Sequence, residues 1–264
     1  MNLFIFCNRL LRIVSDYLRT AVLIVYRLLV GRKPRSYNHH NHVRSILRFL
    51  FLGEDTLMPL SIAFQSNGYH GDLNILKPLF SDTILGTWAI DQAGIDVIWQ
   101  TLDKVRPNVI VEFGSGSSTL VFASWIKQRN DSEHRCISIE QDEREAEVTR
   151  SRLMKYGLAK YVYVMVAPVN KDGCYELPHD IIQEIIAKQK VDFVFIDGPS
   201  GPKGCRIHAR KVVVPYLEKP CYWMLHDALR DGEMTIIKQW DDVQDRCYGI
   251  CPVGQGIAFG LWGK

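Results

Sequence analysis

No uncharged apolar run in this chain of 264 residues approaches the ~20 residues that a helix needs to span a bilayer, so membrane-spanning helices are not expected. Paired cysteine spacing is missing too. The seven cysteines are scattered, and Cys247 and Cys251 have no partner ligands nearby. An odd, unpatterned set argues against a disulfide framework or a zinc site and fits a reducing, cytoplasmic compartment. Excess charge is equally scarce. The net charge of +3 divides into +6 over residues 1–37, where seven arginines and lysines face only Asp16, and −3 over the remainder. A globally basic nucleic-acid surface is therefore not indicated, whereas a basic N-terminal arm is. Hydrophobic content of 47% and a charged fraction of 23% suit a globular α/β domain with an appendage.

A third glycine is absent from the most informative stretch, Val109 to Thr119. Val109 to Val111 read as a buried strand, and Gly114 and Gly116 let the backbone bend and approach a ligand closely. Ser117 or Ser118 is placed to cap the helical segment that follows, Leu120 to Ile126. Strand, glycine turn and helix N-terminus together make a nucleotide-type site. A dinucleotide fingerprint would carry a further glycine where this chain has Thr119, which weighs against that reading.

The chain then alternates strand and helix. A helix over Gln92 to Val105 precedes the glycine strand. Strands are expected at Arg135 to Glu140, Tyr161 to Val166, Val191 to Asp197 and Tyr222 to Asp227. Helices are expected at Asp142 to Tyr156, Ile181 to Gln189, Cys205 to Leu217 and Gly232 to Trp240. Two closing strands, Tyr248 to Val253 and Ile257 to Trp262, flank a Gly254-Gln-Gly256 turn. Five polar residues punctuate the strand ends: Glu112, Glu140, Asp197, His226 and Asp227. Ligands of open α/β sheets bind at those carboxyl ends. Glu140, 24 residues beyond Gly116, is suited to accept hydrogen bonds from two vicinal ribose hydroxyls.

An acidic residue two before Gly-x-Gly, here Glu112-Phe-Gly114-Ser-Gly116, resembles the first motif of class I S-adenosylmethionine-dependent methyltransferases. The terminal hairpin on a parallel sheet resembles their topology. The resemblance covers residues 86–264 and implies a three-layer Rossmann-like fold, with a mostly parallel seven-stranded sheet ending in an antiparallel hairpin. It implies S-adenosylmethionine as methyl donor, cradled by Gly114, Ser115, Gly116 and Ser117, with Glu140 on the ribose and Gln141 beside the adenosine. Glu112 would act indirectly, shaping the turn and attracting the cationic end of the cofactor.

The chain lacks the Asn/Asp-Pro-Pro-aromatic motif of enzymes that methylate base amino groups. Asp197, His226 and Asp227 are instead similar to an oxygen-methylating site. In one version His226 is the general base. In another Asp197 and Asp227 hold a divalent cation that acidifies the acceptor hydroxyl, as in catechol-type O-methyltransferases, although His226-Asp227 stands where those enzymes have Asp-Asn. Asp197 to Gly201, Gly204 to Arg206, His226-Asp227, Arg230 and Glu233 also resemble the glucuronoxylan 4-O-methyltransferase group, which implies a glycan-type acceptor. Lys203, Arg206 and Arg210 are expected at the mouth of the site, where they would pair with an acidic acceptor. The competing readings are an NAD(P)-dependent oxidoreductase and a non-catalytic, membrane-associated protein that keeps the fold.

Three regions follow: a basic amphipathic helix and linker over 1–36, a helical or irregular cover over 37–85, and the catalytic domain over 86–264. Arg9, Arg12, Arg19 and Arg27 recur opposite Leu11, Val14, Leu18, Val22 and Val25 along residues 3–30. Such a helix suits the inner face of an anionic membrane, or packing on its own domain or a second subunit. His39, His40 and His42 read as a solvated loop rather than a metal site.

Overall fold

Val109–Phe113 forms β1, every residue of it buried, as a continuous apolar run covered on both faces must be. In the computed structural model, the described residues are Leu76, Leu79, Ile90, 92–129, 135–188, 190–217, 219–241, 246–251 and 256–263, all within the compact unit Met58–Lys264. The expected N-terminal helix of residues 3–30, the histidine loop at His39 to His42, and the 37–85 cover apart from Leu76 and Leu79 lie outside them. No helix among the described residues is long and apolar enough to cross a membrane.

Helix α1 (Gln92–Val105) leads into β1. Then come α2 (Ser117–Arg129), β2 (Arg135–Glu140), α3 (Glu143–Lys155), β3 (Val162–Val166) and a short helix α4 (His179–Ile181) that continues as a π-helical turn, Ile182–Ala187. Next are β4 (Phe193–Ile196), α5 (His208–Val213), β5 (Cys221–His226), α6 (Asp231–Asp241), β6 (Arg246–Cys251) and β7 (Ile257–Trp262). The seven strands order as β3-β2-β1-β4-β5-β7-β6. β1 to β5 run parallel, while β7 is antiparallel to both β5 and β6. The order reverses between β1 and β4, and this switch point opens a crevice at the strands' carboxyl ends.

The expected architecture is present, with local departures that have physical causes. Strand β4 begins at Phe193 rather than Val191 because the Asp192 carboxylate caps the start of β1, accepting from the N–H groups of Asn108 and Val109 at 3.1 and 2.9 Å. The continuous helix expected over 205–217 is divided: 3₁₀ turns at Cys205–Ile207 and Val214–Tyr216 flank α5, and Pro215 withholds a helical N–H. A π-helical turn stands where an α-helix was expected over Ile181 to Gln189. Helix α3 starts one residue late because Asp142 is its N-cap, accepting from the N–H of Arg144 at 2.8 Å.

The core lies against both faces of the sheet. Phe122 packs edge-on to Phe193 and Phe195 from one side. Under the hairpin, Trp223, Trp240 and Trp262 form a buried triad with ring centroids 5.1–6.0 Å apart. Each buried tryptophan adds a large apolar area, roughly 2–3 kcal/mol of burial, which secures the antiparallel strands to the parallel sheet.

Candidate active site

Gly114 turns the chain out of β1 at φ +91°, a left-handed conformation that glycine adopts at little cost. Its N–H donates to the Ile139 carbonyl at 2.8 Å, so the turn leans on β2. A Cβ on Gly114 would lie 2.7 Å from the Gly198 nitrogen, so the loop after β4 demands glycine here. The second glycine is different. A Cβ on Gly116 would meet nothing within 4 Å, so open space rather than protein packing borders this residue. That is the surface a ligand would approach.

Beyond the turn, Gly116 stands just before α2, and its N–H donates to Thr119 Oγ1 at 2.8 Å, half of a capping-box arrangement. The capping expected of Ser117 or Ser118 therefore takes another form. Both serines lie inside the first turn of α2, and Ser118 Oγ donates to Glu112 at 2.5 Å instead. As at any helix start, the first N–H groups have no intrahelical acceptor, which leaves a position suited to an anionic group.

Glu112 is wholly buried, and three hydroxyls donate to its carboxylate: Ser118, Thr119 at 2.6 Å and Ser138 at 2.6 Å. Burial pushes its pKa up to about 7, only partly offset by those hydroxyls. Glu112 thus ties β1, β2 and α2 together rather than facing the crevice. Glu140, at the end of β2, is held by three backbone donors: Ser115 at 2.7 Å on one oxygen, and Gln141 at 2.7 Å and Asp142 at 3.0 Å on the other. The oxygen that takes Ser115 keeps a lone pair for a ligand hydroxyl. Gln141 Nε2 reaches the Ser200 carbonyl at 3.1 Å and so links the end of β2 to the loop after β4. The fixed carboxylate, the space beside Gly116 and the helix start fit an adenosyl amino acid.

Asp197, His226 and Asp227 converge on the other side of the switch point. His226 Nδ1 lies 2.9 Å from Asp197 Oδ1 and 3.7 Å from Asp227 Oδ1. His226 Nε2 makes no hydrogen bond among the described residues. Asp227 takes up a left-handed conformation at φ +60°, unusual for a residue with a side chain, which turns the chain sharply out of β5. Burial alone would lower the His226 pKa, but the Asp197 carboxylate outweighs it, and the imidazole is more basic than usual. Burial likewise works to raise the Asp197 pKa, yet His226, Arg206 and Arg230 hold it at about 2.

The cation among these carboxylates is Arg206, only 6% exposed. Its guanidinium lies 3.3 Å from Asp197, 3.1 Å from Asp227 and 3.8 Å from Glu233, and it donates to the His226 carbonyl at 3.0 Å. Arg230 adds a 2.8 Å contact to Asp227. Asp197, His226 and Asp227 do bring one potential metal-ligand atom each to within 4.8 Å of one another. A divalent ion on those oxygens would nevertheless face a buried guanidinium already paired to both carboxylates, so the residues do not fit the expected cation. The expected basic mouth is corrected in the same way. Arg206 turns inward, whereas Lys203 is 67% exposed and 3.3 Å from Asp231, and Arg210 is half-buried.

Residues that sequence reasoning missed are Ser138 and Thr119, which hold Glu112; Arg206 in its buried role; and Tyr175, from the segment after β3. Ser138 was findable, because a lone serine in an apolar strand sits in register with Glu112.

Residues 111–228 match the sequence model of a family described as a methyltransferase domain. No curated protein sequence matches the chain. Among solved structures, a methyltransferase from Geobacter sulfurreducens is 17% identical with a TM-score of 0.52, covering 75% of this chain and 92% of that one. The O-methyltransferase TomG from Streptomyces achromogenes, involved in tomaymycin synthesis and solved with S-adenosylmethionine, is 16% identical with a TM-score of 0.52, covering 88% and 100%. An O-methyltransferase from Bacillus cereus, solved with S-adenosylhomocysteine, is 14% identical with a TM-score of 0.51, covering 84% and 97%. Likeness at these identities speaks for a common fold.

Proposed function

We propose that this chain is a class I S-adenosylmethionine-dependent methyltransferase that methylates a hydroxyl oxygen on a sugar, glycan precursor or similar small molecule, a reading supported by the match of residues 111–228 to a methyltransferase-domain model. The observation that carries this reading is the Asp197–His226 pair, bonded through Nδ1 at 2.9 Å, with Nε2 unbonded among the described residues, at the strand ends next to the glycine turn. Bound S-adenosylmethionine supplies an activated sulfonium methyl. Gly114, Ser115, Gly116 and Ser117 line its cradle, Glu140 takes the ribose hydroxyls, and Gln141 borders the adenosine. Glu112 braces the turn from behind.

His226 Nε2 accepts the acceptor's hydroxyl proton as the oxygen attacks in line, and Asp197 stabilises the resulting imidazolium. Asp227 keeps Arg206 and the backbone at His226 in place. Arg206 supplies the positive charge that a divalent cation would otherwise bring, so catalysis proceeds without metal. Lys203, the solvent-facing cation of this loop, is suited to pair with an acidic group on the acceptor. The oxidoreductase alternative gains no support: Thr119 occupies the third-glycine position, and β7 runs antiparallel.

Isothermal titration tests the reading. S-adenosylhomocysteine should bind, and Glu140→Ala should weaken binding at least tenfold, the equivalent of about 1.4 kcal/mol. If NADH raises the melting temperature and S-adenosylhomocysteine does not, the proposal fails.

A further inference from the structure

Tyr175 has a buried hydroxyl that no other described residue engages. After β3 the chain folds into a tight hairpin closed by the antiparallel bridge between Val169 and Tyr175. Asn170 Oδ1 fixes its tip by accepting from the N–H groups of Asp172 and Cys174, each at 3.0 Å. Gly173 packs against Cys205, whose Cβ even one added carbon would strike, so the hairpin is seated directly beside Arg206. The Tyr175 ring is therefore placed firmly, with its centroid 5.6 Å from that of Phe113.

The residue is 6% exposed, and its hydroxyl has no hydrogen-bond partner among the described residues. An unsatisfied buried hydroxyl costs about 1–3 kcal/mol, and phenylalanine would pack against Phe113 as well without that penalty. The position of the oxygen accounts for it. It lies where the turn after β1 meets the loop after β4, since a Cβ on Gly198 would come within 2.5 Å of it. It is close enough to Glu140, Asp197 and Arg206 to feel the charge of each. Burial pushes the phenol's pKa well up, so at neutral pH the group is a donor.

We infer that Tyr175 is a cofactor-contact residue, its hydroxyl donating a hydrogen bond to bound S-adenosylmethionine between the ribose held by Glu140 and the reacting end beside Asp197. This assignment rests on the proposed reading of the crevice as the methyl donor's site.

The test compares wild type with Tyr175→Phe in two measurements, thermal unfolding without ligand and titration with S-adenosylhomocysteine. The variant should unfold at the wild-type temperature or above it, because an unsatisfied group has been removed, while its affinity falls about three- to tenfold. An unchanged dissociation constant overturns the assignment and leaves the function intact. A lowered unfolding temperature with unchanged affinity also overturns it, by showing a structural hydroxyl. Failure of the wild type itself to bind overturns the functional reading and this assignment together.

Discussion

Two carboxylates on neighbouring strands of one sheet, Glu112 wholly buried and Asp197 partly so, are shifted in opposite directions. Glu112 on β1 is surrounded by hydroxyls, and its pKa climbs to about 7; Asp197 after β4 is surrounded by His226, Arg206 and Arg230, and its pKa sits at about 2. Burial pushes both upward, so partner chemistry decides the outcome. Hydroxyl dipoles stabilise a carboxylate without supplying charge, whereas two guanidinium groups and an imidazole outweigh desolvation. The first arrangement makes a near-neutral strut under the cofactor turn. The second keeps a permanent anion where a proton must move.

The sharpest way to break this contrast is to neutralise the charged member. Asp197→Asn should cut turnover by roughly 10²–10⁴ on whichever acceptor supports it, while S-adenosylhomocysteine binding survives. The wild-type rate should rise with pH through a value above the ordinary imidazole range, because His226 must lose its proton to act as base and Asp197 makes it more basic. In the variant that limb should move to lower pH. A pH–rate profile with an unmoved limb would rule out His226 as the titrating base.

Removing the cation comes next. Arg206→Met takes a buried cation away from three carboxylates, Asp197, Asp227 and Glu233, and urea denaturation should show a loss of about 3–5 kcal/mol. Arg206→Lys should restore part of it, and chelators should leave wild-type turnover unchanged. Inhibition by a chelator, reversed by a divalent cation, would contradict the metal-free reading.

The neutral member gives the smallest effect and the clearest sign. The folded-state pKa of Glu112 is raised from 4.5 to about 7, so the stability it contributes is complete below pH 4.5 and is lost as pH rises through 7. The wild type should therefore lose about 3 kcal/mol across that window through this group alone. Glu112→Gln should flatten the curve and be relatively more stable at pH 8 than at pH 5. Equal slopes for the two proteins would show that Glu112 is charged in the fold. Asp197 tilts the other way: its contribution is present above pH 3.8 and declines as pH falls toward 2.

The sheet was readable because its strands are apolar runs that end in polar punctuation. Strand β2 and β7 and helix α1 have the expected boundaries, since each is bracketed by charge, glycine or proline. The start of β4 was hidden because Asp192 satisfies the N–H groups of β1 across 83 residues of sequence, a pairing no local pattern reveals. At the site, Asp197, His226 and Asp227 announced themselves as strand ends. The burial of Arg206 did not, because a basic loop reads the same whether its side chains face water or turn inward. Tyr175 was silent for another reason: its segment has neither helical nor alternating periodicity, so only its tertiary contacts with Val169, Phe113 and Gly198 show where it lies.

That contact region has a mechanical consequence. Gly114 and Gly198 press main chain against main chain, with an added carbon on either falling within 3 Å of the other's backbone. The turn that cradles the donor and the loop that carries Asp197 cannot slide past each other, so donor and acceptor ends share one rigid frame. No side chain projects from that floor, and none can be trimmed or enlarged to remodel it. A change of acceptor would have to be written into the rim around it, where Lys203 and the hairpin bearing Tyr175 stand.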